Sequence, residues 1–127
     1  MIRLIALLKR KPGTTHDEFL EHWLGSHGPL VATSSAARYW RRSEQYPVAW
    51  PEPGSDAAEP EFDGVTIQEF DSVRQFWAHT TEADFAAVSA DNERFLDVDS
   101  LKWVLVEEPH VVVAAAPATD ALDADGG

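Results

Sequence analysis

Along residues 2–9, IRLIALLK, apolar side chains fall on both parities: Ile2, Leu4, Ala6 and Leu8 on one side, Ile5 and Leu7 with Arg3 and Lys9 on the other. That pattern predicts a strand with two partly apolar faces. Pro12-Gly13 turns the chain, and Thr15 followed by Glu18 forms a capping box that opens a helix. Gly25, Gly28 and Pro29 mark its far end. AARYWRRSEQY, 36–46, reads as a polar-decorated second strand, since Tyr39, Trp40 and Tyr46 favour extended backbone. Residues 47–64 carry four prolines, five acids and no base, which predicts a long surface loop, an insertion or lid. VTIQEF, 65–70, alternates as a third strand. Asp71 or Ser72 then caps a short helix with Val73, Phe76 and Trp77 as its buried side, and 80–96 continues helically from a fresh cap at Thr81. SLKWVLVEEPHVVV, 100–113, is the last strand, apolar on both faces and open to a break at Pro109. Residues 114–127 form a low-complexity acidic tail, expected to be disordered.

The order β-α-β-β-α-β predicts an α+β, ferredoxin-like domain over 1–113, with a four-stranded antiparallel sheet. Two helices cover one face of such a sheet. The apolar residues offered to the other face at 2–8 and 101–106 need a second cover, and a twofold mate supplies it. The expectation is a homodimer through the sheet face, a dimeric α+β barrel.

Composition narrows the function classes. A chain of 127 residues builds one core, and with no cysteine it has no disulfide, thiolate nucleophile or Cys-based metal site. The opening MIRLIALL is interrupted by Arg3 and followed by KRKPG rather than a cleavage site, and no apolar run reaches membrane-span length; the expectation is a cytoplasmic protein with no membrane partner. Residues 1–50 carry seven bases and four acids, whereas 51–127 carry three bases and eighteen acids. Such an acidic chain without a basic patch argues against nucleic acid as a partner. There is no phosphate-binding glycine loop, nucleophile elbow or dinucleotide fingerprint.

Candidate chemistry centres on the first helix. Placed at about 100° per residue from Phe19, Trp23 falls at about 40°, Leu20 at about 100° and His27 at about 80°, in the middle of the apolar arc. His22 falls at its edge, about −60°, and His16 sits near the arc in the first turn, where exposure is easy. An imidazole in an apolar stripe is either a half-buried cap for the last carbonyls or a general acid/base in a pocket. His22 and His27, five apart and about 140° from each other, do not share the face that a metal pair needs, so no metal site is expected.

The stretch ALLKRKPGTTHDEFLEHWLGSHGPLV, with FDSVRQFWA at 70–78 and ERFLDVDSLKWVLVEE at 93–108, resembles the EthD family of dimeric α+β barrel proteins. The shared elements are K-R-K-P-G, F-x-x-x-W, H-x-P-L and the late F-L-D, spread over about residues 2–113. The resemblance implies a homodimer with an apolar pocket in each subunit, and it places the family histidine at His27. It also implies relatives that decarboxylate or dehydrate aromatic polyketides, and others encoded beside catabolic oxygenases.

Around His27, Glu69 alternates with Ile67 and is a candidate to orient the imidazole from inside; solvent-facing strand charge is the alternative. Trp23, Tyr39, Trp40, Tyr46 and Trp77 are candidate walls of a substrate pocket or simple packing, and His79 is a candidate at the pocket mouth or an exposed residue. Three functions fit. The first is a cofactor-free enzyme moving a proton by His27 on a hydrophobic, aromatic or alicyclic carbonyl compound, in a decarboxylation, dehydration, cyclisation or isomerisation. The second is a cofactor-independent oxidoreductase or monooxygenase, and the third a non-catalytic small-molecule binder. A haem-degrading enzyme of the same barrel type would use an asparagine on the first strand, but the sole asparagine is Asn92.

Overall fold

A computed structural model describes residues 1–117. Four strands, β1 (Ile2–Leu8), β2 (Trp40–Pro47), β3 (Gly64–Phe70) and β4 (Lys102–Val106), form one antiparallel sheet in the order β2-β3-β1-β4. The helices are α1 (His16–His22), which runs through a π-helical turn at Trp23–His27 into α2 (Gly28–Ala32), then α3 (Val73–His79) and α4 (Phe85–Phe95). All pack on one face of the sheet, giving the expected ferredoxin-like α+β arrangement.

Register decides which side chains meet. Ile2 pairs with Phe70 and Leu8 with Gly64, so the even positions of β1 and β3 face the helices together. Their burial builds two apolar clusters. One holds Ala6, Leu8, Phe19, Trp23, Phe95 and Leu96; the other holds Ile2, Phe70 and Phe76, with Leu4, Tyr39, Trp40 and Leu105 against it. Trp23 lies so close over β3 that a Cβ at Gly64 would stand 2.7 Å from its ring, which only glycine permits. The odd positions, Ile5, Leu7, Val65 and Ile67 with Val104, lie on the face that no helix among the described residues covers. They sit among Arg3, Glu69 and Lys102.

Several expectations shift. The stretch 35–39 is a 3-10 turn, so β2 begins at Trp40 rather than 36. On α3 the buried residues are Phe76 and His79, while Val73 and Trp77 are about half exposed. The cap at Thr81 is not used: 80–84 are turns and α4 starts at Phe85. Asp84 instead accepts from the Ser35 amide at 2.8 Å and hydroxyl at 2.7 Å. β4 ends at Val106, and 107–117 follow without regular structure, exposed through Val111, Val112 and Val113. Of the expected disordered tail, 118–127 lie outside the described residues.

The acidic loop is anchored at both ends. Buried Asp63 accepts from the Arg10 amide at 2.9 Å, the Arg10 guanidinium at 3.1 Å and His16 Nδ1 at 2.8 Å. Trp50 stacks on His16 with ring centroids 3.7 Å apart. His16 is therefore a packed residue under the loop, not an exposed first-turn one.

Candidate active site

The first helix delivers His27 by an irregularity. Thr15 caps α1 with both halves of the capping box, and Phe19 and Trp23 bury its apolar face. The π-helical turn that follows bonds residue i to i+5, inserting one residue relative to an α-turn. His22 and His27 are such an i, i+5 pair. A wheel of constant pitch sets them far apart, whereas in the structure both reach the same carboxylate.

That carboxylate is Asp91 on α4, 4% exposed. Its Oδ2 accepts from His27 Nδ1 at 2.8 Å and His22 Nε2 at 3.0 Å, and its Oδ1 from Arg94 at 3.2 Å. Phe95, one turn on, stacks on His22 at 4.8 Å and packs against His27 at 4.9 Å, fixing both rings. Burial opposes the charge on Asp91 but is outweighed by the hydrogen bonds from His27 and His22, which hold its carboxyl below the ordinary range. His27 is pushed down from its ordinary value, chiefly by burial; Asp91 opposes that shift and His22 adds to it. At neutral pH His27 is thus a neutral imidazole with its proton on Nδ1, held by Asp91, and a lone pair on Nε2.

His27 borders a cavity of about 360 Å³ between the two apolar clusters, above the even positions of β1 and β3. Trp23, Trp40, Trp77 and Trp103 contribute four indoles to its wall, and its polar residues are uncharged. A second cleft of about 600 Å³, between α2 and β2, shares His27, Trp40 and Gln68 with it and adds Arg42, whose charge is met by Glu44 at 2.9 Å. His79, expected at the mouth or in solvent, is buried in the wall of the first cavity. It gives its Nδ1 proton to the Phe76 carbonyl, and burial pushes its pKa down while that bond raises it. Trp40 Nε1 is buried and has no acceptor among the described residues.

The remaining candidates lie elsewhere. Glu69 is on the uncovered sheet face, where it takes Arg3 at 3.0 Å, so it does not orient His27. Tyr46, 44% exposed, shares that face with Val65 and does not line the cavity. Tyr39 packs behind Phe70 and gives its hydroxyl to Glu82 at 2.7 Å, outside the cavity wall. None of the described residues of 47–63 lines the cavity, so the loop is not its lid. Among the described residues, no group of three or more His, Asp or Glu is arranged to hold a metal ion, and no helix is long and apolar enough to cross a membrane. The residue that sequence reasoning missed is Asp91. Val88, Asp91, Asn92 and Phe95 share the i, i+3, i+4, i+7 face of α4, and an acid on that stripe was the available signal.

Comparison with known proteins agrees with this architecture. The sequence matches the EthD domain over residues 11–99. An ethyl tert-butyl ether d (EthD) family protein of Bacillus halodurans has a similar structure, with TM-score 0.65 and 22% identity over 86% of this chain and 99% of that one. An EthD-like protein of Ralstonia eutropha gives TM-score 0.64 and 17% identity over 91% and 95%. A protein of Bacteroides fragilis, described as dimeric, of unknown function and ferredoxin-like, gives TM-score 0.58 and 16% identity over 84% and 95%. At these identities the solved structures speak to fold alone. No curated protein matches the sequence.

Proposed function

The chain belongs to the EthD-domain family, and from that premise we propose that it is an enzyme that moves a proton, through His27, on a hydrophobic aromatic or alicyclic carbonyl compound. The observation that carries this reading is the division of labour on one ring: Nδ1 is committed to buried Asp91, which leaves Nε2 for the cavity that His27 borders. In the forward step Nε2 takes a proton from the carbon beside the carbonyl, and the C–H electron pair becomes the enolate. The imidazolium so formed is stabilised by Asp91 at 2.8 Å. Return of that proton to another carbon gives isomerisation, and its delivery to a leaving hydroxyl gives dehydration. Either way the step is redox-neutral and asks for no cofactor. The indole walls supply the apolar contact such a substrate needs.

The same reading includes a homodimer through the uncovered sheet face. Support comes from Ile5, Leu7, Ile67 and Val104 on that face and from the dimeric Bacteroides fragilis neighbour.

Exchange of the α-protons of 1-tetralone into heavy water tests the function. Wild-type protein is expected to accelerate exchange over buffer, and His27→Gln to lower that acceleration by about 10²–10⁴-fold per folded molecule, at a temperature where melting shows both proteins folded. Equal exchange by the two proteins would exclude His27 as the acid/base.

A further inference from the structure

The cavity holds a second imidazole that the proton transfer does not use. His79 lies among Phe70, Phe76 and Phe85, ring centroids 4.9 to 5.4 Å away, in the cluster opposite the one that carries His27. It is 5% exposed and lines the cavity. Its Nδ1 is bonded to the Phe76 carbonyl, which fixes the proton there and makes Nε2 an acceptor. Among the described residues, Nε2 has no partner. Beside it, 6.0 Å between centroids, stands the Trp40 indole, whose own N–H is closed off from the cavity space and has no acceptor among the described residues. This end of the cavity therefore offers one unused acceptor in an aromatic wall.

The two imidazoles also have a spacing. The residue after His27, Gly28, abuts Gln45, which pairs with Thr66, whereas His79 packs on Phe70. Four strand residues separate those levels, about 13 Å along the sheet at roughly 3.3 Å per residue. Between them the wall carries no Lys, Arg, Asp or Glu, although the chain's net charge is −12.

We infer that the His79 end is a hydroxyl subsite, and that the substrate is an uncharged two- or three-ring compound with its carbonyl at His27 and a phenolic or alcoholic hydroxyl at His79. A hydroxyl donates to Nε2, which a ketone or ether oxygen, having no proton to give, cannot do. A carboxylate would bring a charge into a wall with no cation, at a cost no neutral imidazole offsets. The proposal rests on the reading of His27 as the acid/base and adds the class of substrate that it serves.

Tryptophan fluorescence titrations with three ligands test it, since four indoles line the cavity. The ligands are 6-hydroxy-1-tetralone, 1-tetralone and the 6-carboxylate of 1-tetralone. Wild type is expected to bind the hydroxy ketone about three- to tenfold more tightly than the parent ketone, the range of one added neutral hydrogen bond. The carboxylate is expected to bind more weakly than either. His79→Asn keeps a donor for the Phe76 carbonyl but has no atom at Nε2, so it should lose the preference while still binding the parent ketone; His79→Gln should restore part of it. His27→Gln should keep it. A preference that survives in His79→Asn, or its absence in wild type, overturns the subsite and leaves the role of His27 standing. Tightest binding of the carboxylate overturns the uncharged-substrate claim. Failure of both neutral ketones to bind overturns the subsite and the carbonyl-compound reading together.

Discussion

Replacing Asp91 with Asn removes one negative charge from a site that three donors share, and its consequences are separable. The 2.8 Å bond from His27 is made to a carboxylate only 5% exposed on its side chain, whereas Arg94 is 74% exposed and adds little. A hydrogen bond to a buried charged group is worth about 1.5–3 kcal/mol, so the variant should lose about 2–3 kcal/mol. For a domain of this size that is a fall in melting temperature of roughly 10 °C. The decisive effect is on His27. Burial already holds its pKa below the ordinary value, and Asp91 is the group that opposes that shift. Without the charge His27 must titrate lower still, whichever amide atom faces Nδ1. Proton–nitrogen NMR of the imidazoles against pH, with His27 assigned by difference from His27→Gln, reads both tautomer and titration. Wild type should show the proton on Nδ1 and a midpoint below 6.5. A wild-type midpoint above 6.5, or a midpoint in Asp91→Asn that does not fall, would refute the reasoning.

Stability should decline as pH drops from about 6.5: the unfolded chain's histidines take up protons there, while His27 and His79, both with depressed pKa, resist until lower pH, so the folded state loses ground. Melting temperatures at pH 7 and pH 5.5 check this, and the His27→Gln, His79→Gln double variant should show a flatter profile. Gly64→Ala places a Cβ at 2.7 Å from the Trp23 ring and should cost about 1–3 kcal/mol in urea unfolding; an unchanged midpoint would mean that the ring can retreat. Ile67→Lys puts a charge in the uncovered sheet face and should give a folded monomer by light scattering where wild type is a dimer; a wild-type monomer would remove the dimer from the account.

How much of this was legible beforehand follows from what each pattern encodes. Strand parity correctly separated Leu4 and Ala6 from Ile5 and Leu7, but both sets are apolar, so parity alone does not say which face the helices take. Glu69 and Tyr46 are for that reason pocket candidates only beside the readings as solvent-facing charge and simple packing, and the structure puts both on the uncovered face. His27 was legible because an imidazole interrupts an apolar arc. Its neighbour His22 was not, because a wheel of constant pitch has no place for the extra residue of the π-helical turn. Asp91 required the same test on α4, where Val88 and Phe95 define the stripe and the acid interrupts it. Reading Val73, Phe76 and Trp77 as the buried side of α3 leaves His79 at the mouth or outside; Phe76 is buried there, but with His79 in place of Val73 and Trp77.

The most direct test of the central claim is the pH dependence of α-proton exchange in 1-tetralone, measured on wild type and His27→Gln. If His27 Nε2 is the base, the wild-type rate rises with pH through one ionisation below 6.5 and then levels, and the variant loses that limb. A variant that keeps the wild-type profile would contradict the account.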